Sequence, residues 1–274
     1  MFSKLLKHDF KANAGLLSLL AACALGIGCV AAVILRLLTT YWDQLSSKDE
    51  FALLLIPAFL FLFFAYMAIL FYSVASQYIL LFRFYKSRFT DEGYLMFTLP
   101  VKTSHIFLSG AVNLLIWSLI AMIVVCASLA IAIVIGPAWT PEVLAEVRWI
   151  FSDMQFVFSD VITPGYSLAT IVYMLVTVVY GIIAPMSAVV LGATVAKKHK
   201  VLAIIGIMIG LSIVTSTVTG IISGISQFLM FAAEDNLSLY MSLTPLLSSI
   251  FLLLLSVGGY ILSVHFMKRR LNLP

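Results

Sequence analysis

Charged side chains are scarce in this sequence. Asp, Glu, Lys and Arg together make up 10% of the 274 residues, and 63% of the residues are hydrophobic. A soluble domain has about 25% charged and about 45–50% apolar residues. The composition therefore excludes a water-soluble domain and indicates a chain that is solvated by lipid. Apolar runs recur along it at the length, about 18 residues or more, that is typical of membrane spans.

Several kinds of catalytic site are also missing. No Gly-rich loop followed by Lys and Ser or Thr occurs, so the chain is predicted to be no enzyme and to hydrolyse no ATP by itself. Gly220 and Ser223 are one residue too far apart for the Gly-x-Ser-Gly turn of an intramembrane serine protease. We predict no catalytic, cofactor-binding or metal-binding residue.

Histidine and cysteine are few and isolated. The four histidines lie singly at the ends of apolar runs, which does not fit a metal site: His8, His105, His199 and His265. The three cysteines match no metal or redox spacing and are interpreted as small packing residues: Cys23, Cys29 and Cys126.

The apolar runs predict an all-α membrane protein with a single transmembrane domain, residues 1–274. The six expected spans are Leu16 to Leu38, Phe51 to Ile79, Ile106 to Gly136, Tyr166 to Ala196, Val201 to about Ile222, and Pro245 to Phe266. None of them contains Asp or Glu, which argues against a proton-driven transporter. Sodium coupling stays open, but the spans show no inverted repeat that would favour it.

Basic residues are concentrated on one side of these spans. The N-terminus, the second and fourth connections and the C-terminus hold thirteen of them: Lys4, Lys7, Lys11, Arg83, Lys86, Arg88, Lys102, Lys197, Lys198, Lys200, Lys268, Arg269 and Arg270. The other connections hold only Lys48 and Arg148, against nine acids. By the positive-inside rule, both termini are predicted to be cytoplasmic in a multi-pass protein of the plasma membrane.

The N-terminal region allows two further predictions. Leu20 to Cys23 resembles a lipoprotein cleavage box, but the apolar run continues to Leu35, which is too long for a signal peptide, so the first span is expected to stay. Apolar and basic residues alternate at helical spacing from Phe2 to Lys11 and predict a short amphipathic helix on the membrane surface before that span. Such a helix could contact a partner protein or simply anchor the N-terminus to the membrane.

The connection after the third span predicts a surface helix. Thr140, Pro141 and Glu142 supply a cap, a proline at the first helical position and an acid in the first turn. An apolar row then runs to Phe158, so we predict an outer interfacial helix over residues 141–158, acting as a brace or in recognition.

Polar residues recur on one face of several spans. The fifth span has hydroxyl groups every three or four residues from Ser212 to Ser226, and the fourth has a similar row from Tyr166 to Tyr180. Small and hydroxylated residues are typical of helix packing in lipid, but the same rows suit a substrate path or a dimer seam. The candidate residues are Ser212, Thr215, Thr219, Ser223, Tyr173, Thr177 and Asn113. So weakly polar a path suits an amphiphile better than an ion.

The connection between the second and third spans, residues 83–104, predicts a short exposed helix. Thr90 or Asp91 can cap it, Tyr94 to Phe97 give it an apolar body, and Pro100 ends it. Both ends are attached to membrane helices, which is the geometry for transmitting force from a soluble partner. A re-entrant connector without a partner is the other interpretation.

Three segments resemble the permease subunits of ATP-binding cassette exporters of Gram-positive bacteria, in the six-span class often called type V. They are the string D-E-G-Y-L-M-F-T-L-P from Asp91 to Pro100, the stretch from Gly181 to Lys200 that ends in G-A-T-V-A-K-K-H-K, and the closing K-R-R-L-N-L. The resemblance implies that two permeases, identical or paralogous, pair in the membrane and that each rests on a separate ATPase subunit. It also implies outer re-entrant helices before the last span, for which residues 223–244 are long enough.

The resemblance further implies that the exposed segment is the coupling helix. Its ATPase-contacting residues would be Arg88, Thr90, Asp91, Glu92, Gly93, Tyr94, Leu95, Met96 and Phe97. ATP and Mg would bind to the partner ATPase, and no cofactor to this chain. The expected function is outward movement of an amphipathic peptide, lipid or drug-like compound; the alternative is a membrane scaffold or sensor of an antimicrobial response that transports nothing. Membrane lipid is an expected partner and nucleic acid is not.

Overall fold

The computed structural model describes residues 2–41, 49–90, 102–137, 139–161, 164–196, 198–232 and 237–269. Within these ranges the chain is all-helical, with seven helices and no strand. They are α1 Phe2–Thr40, α2 Asp49–Phe89, α3 Thr103–Ile135, α4 Pro141–Val161, α5 Pro164–Val195, α6 Lys200–Ala232 and α7 Leu237–Arg269. All except α4 are long and apolar enough to cross a membrane, which confirms the six predicted spans.

The helices are longer than the apolar runs that predicted them. The second span was expected over Phe51 to Ile79, whereas α2 has 41 residues, or about 60 Å at the helical rise of about 1.5 Å per residue. A hydrocarbon core is about 30 Å thick, so α2 is longer than the core it would cross. The helix continues beyond Ile79, where hydropathy falls, because no Pro or Gly occurs between Ile79 and Phe89 to end it.

The N-terminal segment is helical, but it does not form the separate surface helix that was predicted. It is the first part of α1, which continues without a break through Thr40. The ring of Phe10 stacks on Trp117 of α3, with centroids 5.1 Å apart and an interplanar angle of 19°. The apolar row at this end of the chain is therefore used in part for helix packing.

Two compact units make up the chain. The first comprises Met1–Phe82 and Val112–Trp149, and the second comprises Arg83–Ala111 and Ile150–Pro274. In the first unit, small side chains let α1, α2 and α3 approach closely, as is usual in lipid. Ala21 and Ala24 of α1 form a buried cluster with Tyr72 of α2 and Ala121 of α3.

The helix predicted over residues 141–158 is present as α4. The Thr140 hydroxyl accepts a hydrogen bond from the Val143 amide at 3.4 Å, so Thr140 caps the helix N-terminus as expected. Trp149 and Phe151 are strongly exposed on it.

The second unit is built on α5, which packs against both α6 and α7, while α6 and α7 also contact each other. From Met186 to Val190, five consecutive residues of α5 are buried, so the helix is covered on all sides there. Residues 223–232 continue α6 and residues 237–244 begin α7, so the described part of this interval forms no separate re-entrant helix. Proline is tolerated inside α5 at Pro185 and inside α7 at Pro245, because neighbouring helices can satisfy the freed backbone groups.

The connection from α5 to α6 brings the two backbones close together. His199 adopts a left-handed conformation with φ of 57°, and its carbonyl accepts the Ala203 amide at 3.1 Å. A Cβ added at Gly192 would lie 2.7 Å from the backbone nitrogen of Ile204. Only glycine leaves room for this approach.

Candidate functional site

A cavity of about 610 Å³ lies among α5, α6 and α7 of the second unit. We call it the hydroxyl cavity. Its lining residues are Tyr166, Thr170 and Tyr173 of α5, Thr219, Ser223, Ser226 and Gln227 of α6, and Met241, Thr244, Pro245 and Ser248 of α7. None of these side chains carries a charge. The volume falls within the range of about 300–1,000 Å³ that is usual for small-molecule sites.

Four of the lining hydroxyl groups, those of Thr170, Thr219, Ser223 and Ser226, donate their hydrogens within their own helices. Thr170 donates to the Tyr166 carbonyl at 2.9 Å, and Thr219 donates to the Thr215 carbonyl at 2.7 Å. On α6, Ser223 and Ser226 donate to carbonyls three and four residues earlier, each at 2.9 Å. A serine or threonine hydroxyl has one hydrogen and two lone pairs, so these oxygens retain acceptor capacity and no donor.

A second cavity, of about 120 Å³, lies further along the α5–α6 contact. Its lining residues are Tyr180, Gly181, Ala184 and Pro185 of α5 with Met208, Leu211 and Ser212 of α6. Pro185 has no amide hydrogen, so the carbonyl of Gly181, four residues earlier, has lost its helical donor. The small cavity thus adjoins a break in the α5 hydrogen-bond ladder.

One hydrogen bond joins α5 and α6 between the two cavities. The Tyr180 and Thr215 hydroxyl oxygens are 2.5 Å apart, and Thr215 also donates to the Leu211 carbonyl at 2.6 Å. The single Thr215 hydrogen is therefore committed to its own helix, and Tyr180 is the donor of the interhelical bond. Tyr180 lines the small cavity, whereas Thr215 is one turn from Thr219 of the hydroxyl cavity.

We expect this interhelical bond to contribute measurably to stability. Tyr180→Phe should lower the free energy of unfolding in detergent by about 0.6–1.7 kcal/mol, the range for hydrogen bonds between membrane helices. Thr215→Val removes the acceptor, so the double variant should be less affected than the sum of the single ones. Thr177→Val is the matched control, because the exposed Thr177 hydroxyl bonds only the Tyr173 carbonyl of its own helix. If the losses of unfolding free energy caused by Tyr180→Phe and Thr215→Val simply add in the double variant, the two hydroxyl groups are not hydrogen-bonded to each other.

The structure brings three of the seven candidate residues together in one cavity and places the other four elsewhere. Tyr173, Thr219 and Ser223 line the hydroxyl cavity, and Ser212 lines the small one. Thr177 lines neither. Asn113 belongs to the first unit, where it is buried and its side-chain oxygen has no hydrogen-bond partner.

Residues of α7 were missed by the sequence reasoning. Thr244 and Ser248 line the hydroxyl cavity together with Met241 and Pro245. Thr244 and Ser248 are four residues apart and hence on one helix face, which was the available signal. Tyr166, Thr170, Ser226 and Gln227 belonged to the recognised polar rows but were not among the selected residues.

The predicted coupling segment is described only at its start. Asp91, Glu92, Gly93, Tyr94, Leu95, Met96 and Phe97 lie outside the described residues. The Thr90 hydroxyl donates to the Lys86 carbonyl at 2.5 Å.

Arg88 is only 2% exposed. Its guanidinium donates to the Ser87 hydroxyl at 2.8 Å and to the Ser109 hydroxyl of α3 at 3.3 Å. The same group lies over the Phe84 ring, 4.9 Å from its centroid. These contacts connect the C-terminal end of α2 to the N-terminal part of α3. Arg88 therefore holds together the two helices from which the segment departs.

Among the described residues of the first unit, three polar atoms are buried without a hydrogen-bond partner: the Tyr72 hydroxyl, the Asn113 side-chain oxygen and the Trp117 indole nitrogen. No group of three or more His, Cys, Asp or Glu residues that could hold a metal ion occurs in the described part of the chain.

The six apolar helices and the packing of α5, α6 and α7 define the class: a multi-pass helical membrane protein. Comparison of the chain with protein-family models, with curated proteins and with solved structures gives no match.

Proposed function

We propose that this chain is the membrane-spanning permease subunit of an ATP-driven exporter that moves an amphipathic substrate outward. The observation that carries the proposal is the hydroxyl cavity, which places polar atoms without charge among three membrane helices. An amphiphile has a polar end that such a cavity can hydrogen-bond and an apolar end that lipid can solvate. A free ion would find no opposite charge among the lining residues.

A separate ATPase subunit would supply the energy, since the sequence contains no phosphate-binding loop. It would dock on the segment from Thr90 to Phe97, which resembles the coupling helix of type V exporters. Arg88 would act from inside the protein, holding the ends of α2 and α3 as one base for that segment. A second permease would complete the transporter, and ATP and Mg would bind to the ATPase.

The charge distribution supports an orientation with both termini in the cytoplasm of a Gram-positive bacterium. The basic residues of the N-terminus, of the α2–α3 and α5–α6 connections and of the C-terminus would then all face inward. This orientation puts the docking segment on the side where ATP is available.

Co-purification tests the proposal directly. The tagged chain, extracted from its native membrane and analysed by mass spectrometry, should retain a cassette ATPase. In proteoliposomes the chain alone should hydrolyse no ATP, and addition of that ATPase should start both hydrolysis and transport. ATP hydrolysis by the pure chain would end the proposal.

Glu92→Lys should abolish ATP-dependent transport while expression and basal hydrolysis by the complex persist, because it reverses the charge of the docking segment. Gly93→Pro should act in the same way. Glu146→Lys is the matched control, since it makes the same change on the exposed surface of α4. Transport at the wild-type rate by both docking-segment variants would show that the segment is not the coupling element.

The alternative, a scaffold or sensor that transports nothing, predicts a different result. It expects stable membrane partners without a cassette ATPase among them. The same co-purification therefore distinguishes the two functions.

A further inference from the structure

We propose that the hydroxyl cavity binds an uncharged headgroup rich in hydrogen-bond donors, of the sugar or polyol type, on a lipid amphiphile. This proposal specifies the substrate class. It rests on the proposed function in one respect, since it takes the bound lipid to be the molecule that is transported. Three features of the lining lead to it: the direction of its hydrogen bonds, its lack of charge and its aromatic rings.

The first feature is a set of four hydroxyl groups that offer a ligand acceptors only. Thr170, Thr219, Ser223 and Ser226 each donate their hydroxyl hydrogen to a carbonyl of their own helix. What they present to a ligand is therefore oxygen lone pairs. A ligand that satisfies them has to bring O–H or N–H groups, and a headgroup with several hydroxyls does so.

The second feature is the absence of charge among the lining residues. A phosphate would need Arg, Lys or several free N–H groups, and the four hydroxyls offer it acceptors instead. A charged headgroup in this lipid-surrounded site would be neither paired nor fully hydrated, which weakens its binding. Anionic headgroups are thereby disfavoured relative to neutral ones.

The third feature is the pair of tyrosines on α5. Tyr166 and Tyr173 are seven residues apart, which is two helical turns, and both line the cavity. Their rings provide flat apolar surfaces of the kind on which a ligand's C–H faces can pack, beside hydroxyls that fix orientation. Met241 and Pro245 of α7 add apolar wall on another side.

Lipid retention measured by native mass spectrometry tests the site without ATP or an ATPase. The purified chain is placed in nanodiscs that contain monoglucosyl diacylglycerol, phosphatidylglycerol or phosphatidylcholine with the same acyl chains, and sugar detergents are avoided throughout. We expect the glucosyl lipid to be retained about tenfold more tightly than phosphatidylglycerol, with phosphatidylcholine also weaker. Equal retention of the three lipids, or preference for the anionic one, would overturn the proposal.

Two variants localise the binding. The double variant Thr219→Val/Ser223→Ala removes two acceptors and should reduce glucosyl-lipid retention about tenfold while leaving phosphatidylglycerol retention unchanged. Thr177→Val is the matched control on α5, because Thr177 lies outside the cavity, and it should bind as the wild type does. If the double variant melts well below the wild type, Tyr173→Phe, which keeps the ring, replaces it with the same expected loss. Unchanged retention in a folded cavity variant would place the lipid elsewhere.

Failure of this inference and failure of the proposed function give different results. Selective retention without ATP-dependent transport by the assembled complex would contradict export and leave the binding site intact. Transport of an amphiphile by a chain that shows no headgroup selectivity would contradict the site and leave export intact.

Discussion

Gly192→Ala is expected to destabilise the protein by about 1–3 kcal/mol or more, the usual cost of forcing extra atoms into a packed interior. The new Cβ would lie 2.6 Å from Cγ1, 2.7 Å from Cα and 2.7 Å from the nitrogen of Ile204. Two of these atoms are backbone, so no side-chain rotation can relieve the contact. The strain would instead separate α5 from α6 next to the connection that joins them.

The matched control is the same substitution at Gly206. No atom lies within 4 Å of the Cβ position there, and Gly206 is inside α6. Alanine is favoured over glycine in a helix interior by about 1 kcal/mol, so Gly206→Ala should be neutral or stabilising. In detergent, Gly192→Ala should lower the midpoint of thermal unfolding, whereas Gly206→Ala should leave it unchanged or raise it. A Gly192→Ala protein as stable as the wild type would show that α5 and α6 are not in close backbone contact.

Arg88→Glu is expected to cost about 3–5 kcal/mol, as is typical when a buried charge is left without a partner of opposite sign. The substitution removes the hydrogen bonds to Ser87 and Ser109 and the contact with the Phe84 ring. A carboxylate in the same space would face an aromatic ring, whose negative face repels it. Stability should be lost, and with it the ATP-driven transport that we propose for this chain.

Lys86→Glu is the control for Arg88→Glu, with the same charge reversal on the exposed side of the same helix. It should change the free energy of unfolding by no more than about 0.5 kcal/mol. Arg88→Met tests the two contributions of Arg88 separately. Methionine keeps an unbranched side chain that can pack in the same space, but it loses the hydrogen bond to Ser109 of α3. That variant should fold, and the proposed function predicts that it shows reduced transport per ATP hydrolysed. Equal stability of the Arg88→Glu and Lys86→Glu proteins would contradict the burial of Arg88.

The sequence predicted the helices well because membrane insertion depends on local composition. All six apolar runs are helices, and Thr140 caps α4 as its sequence indicated. The predicted helix boundaries were less accurate. Hydropathy indicates which residues lie in lipid, whereas a helix can continue beyond the membrane into water. The break expected between the N-terminal segment and the first span is absent for this reason, as no Pro interrupts α1.

Part of the cavity lining is recognisable in the sequence. Helical spacing groups Thr219 with Ser223 on one face of α6, and both line the hydroxyl cavity together with Tyr173 of α5. The same spacing also selected Thr177, because periodicity identifies a face and not the part of it that a neighbouring helix covers. Asn113 was selected as part of a row on the third span, with Ser109 and Trp117 four residues to either side, and it belongs to the other unit.

The sequence alone predicts that lipid surrounds the chain and that nearly all of its described part is helical. Both properties depend on residues that are close together in the sequence. Which hydroxyls share a cavity was decided only by the tertiary structure. In lipid, helices gain little free energy by burying apolar surface against one another. Helix packing therefore depends on the fit of small residues such as Gly192 and on hydrogen bonds such as that from Tyr180 to Thr215. Those contacts join residues that are distant in sequence, and no single helix encodes them.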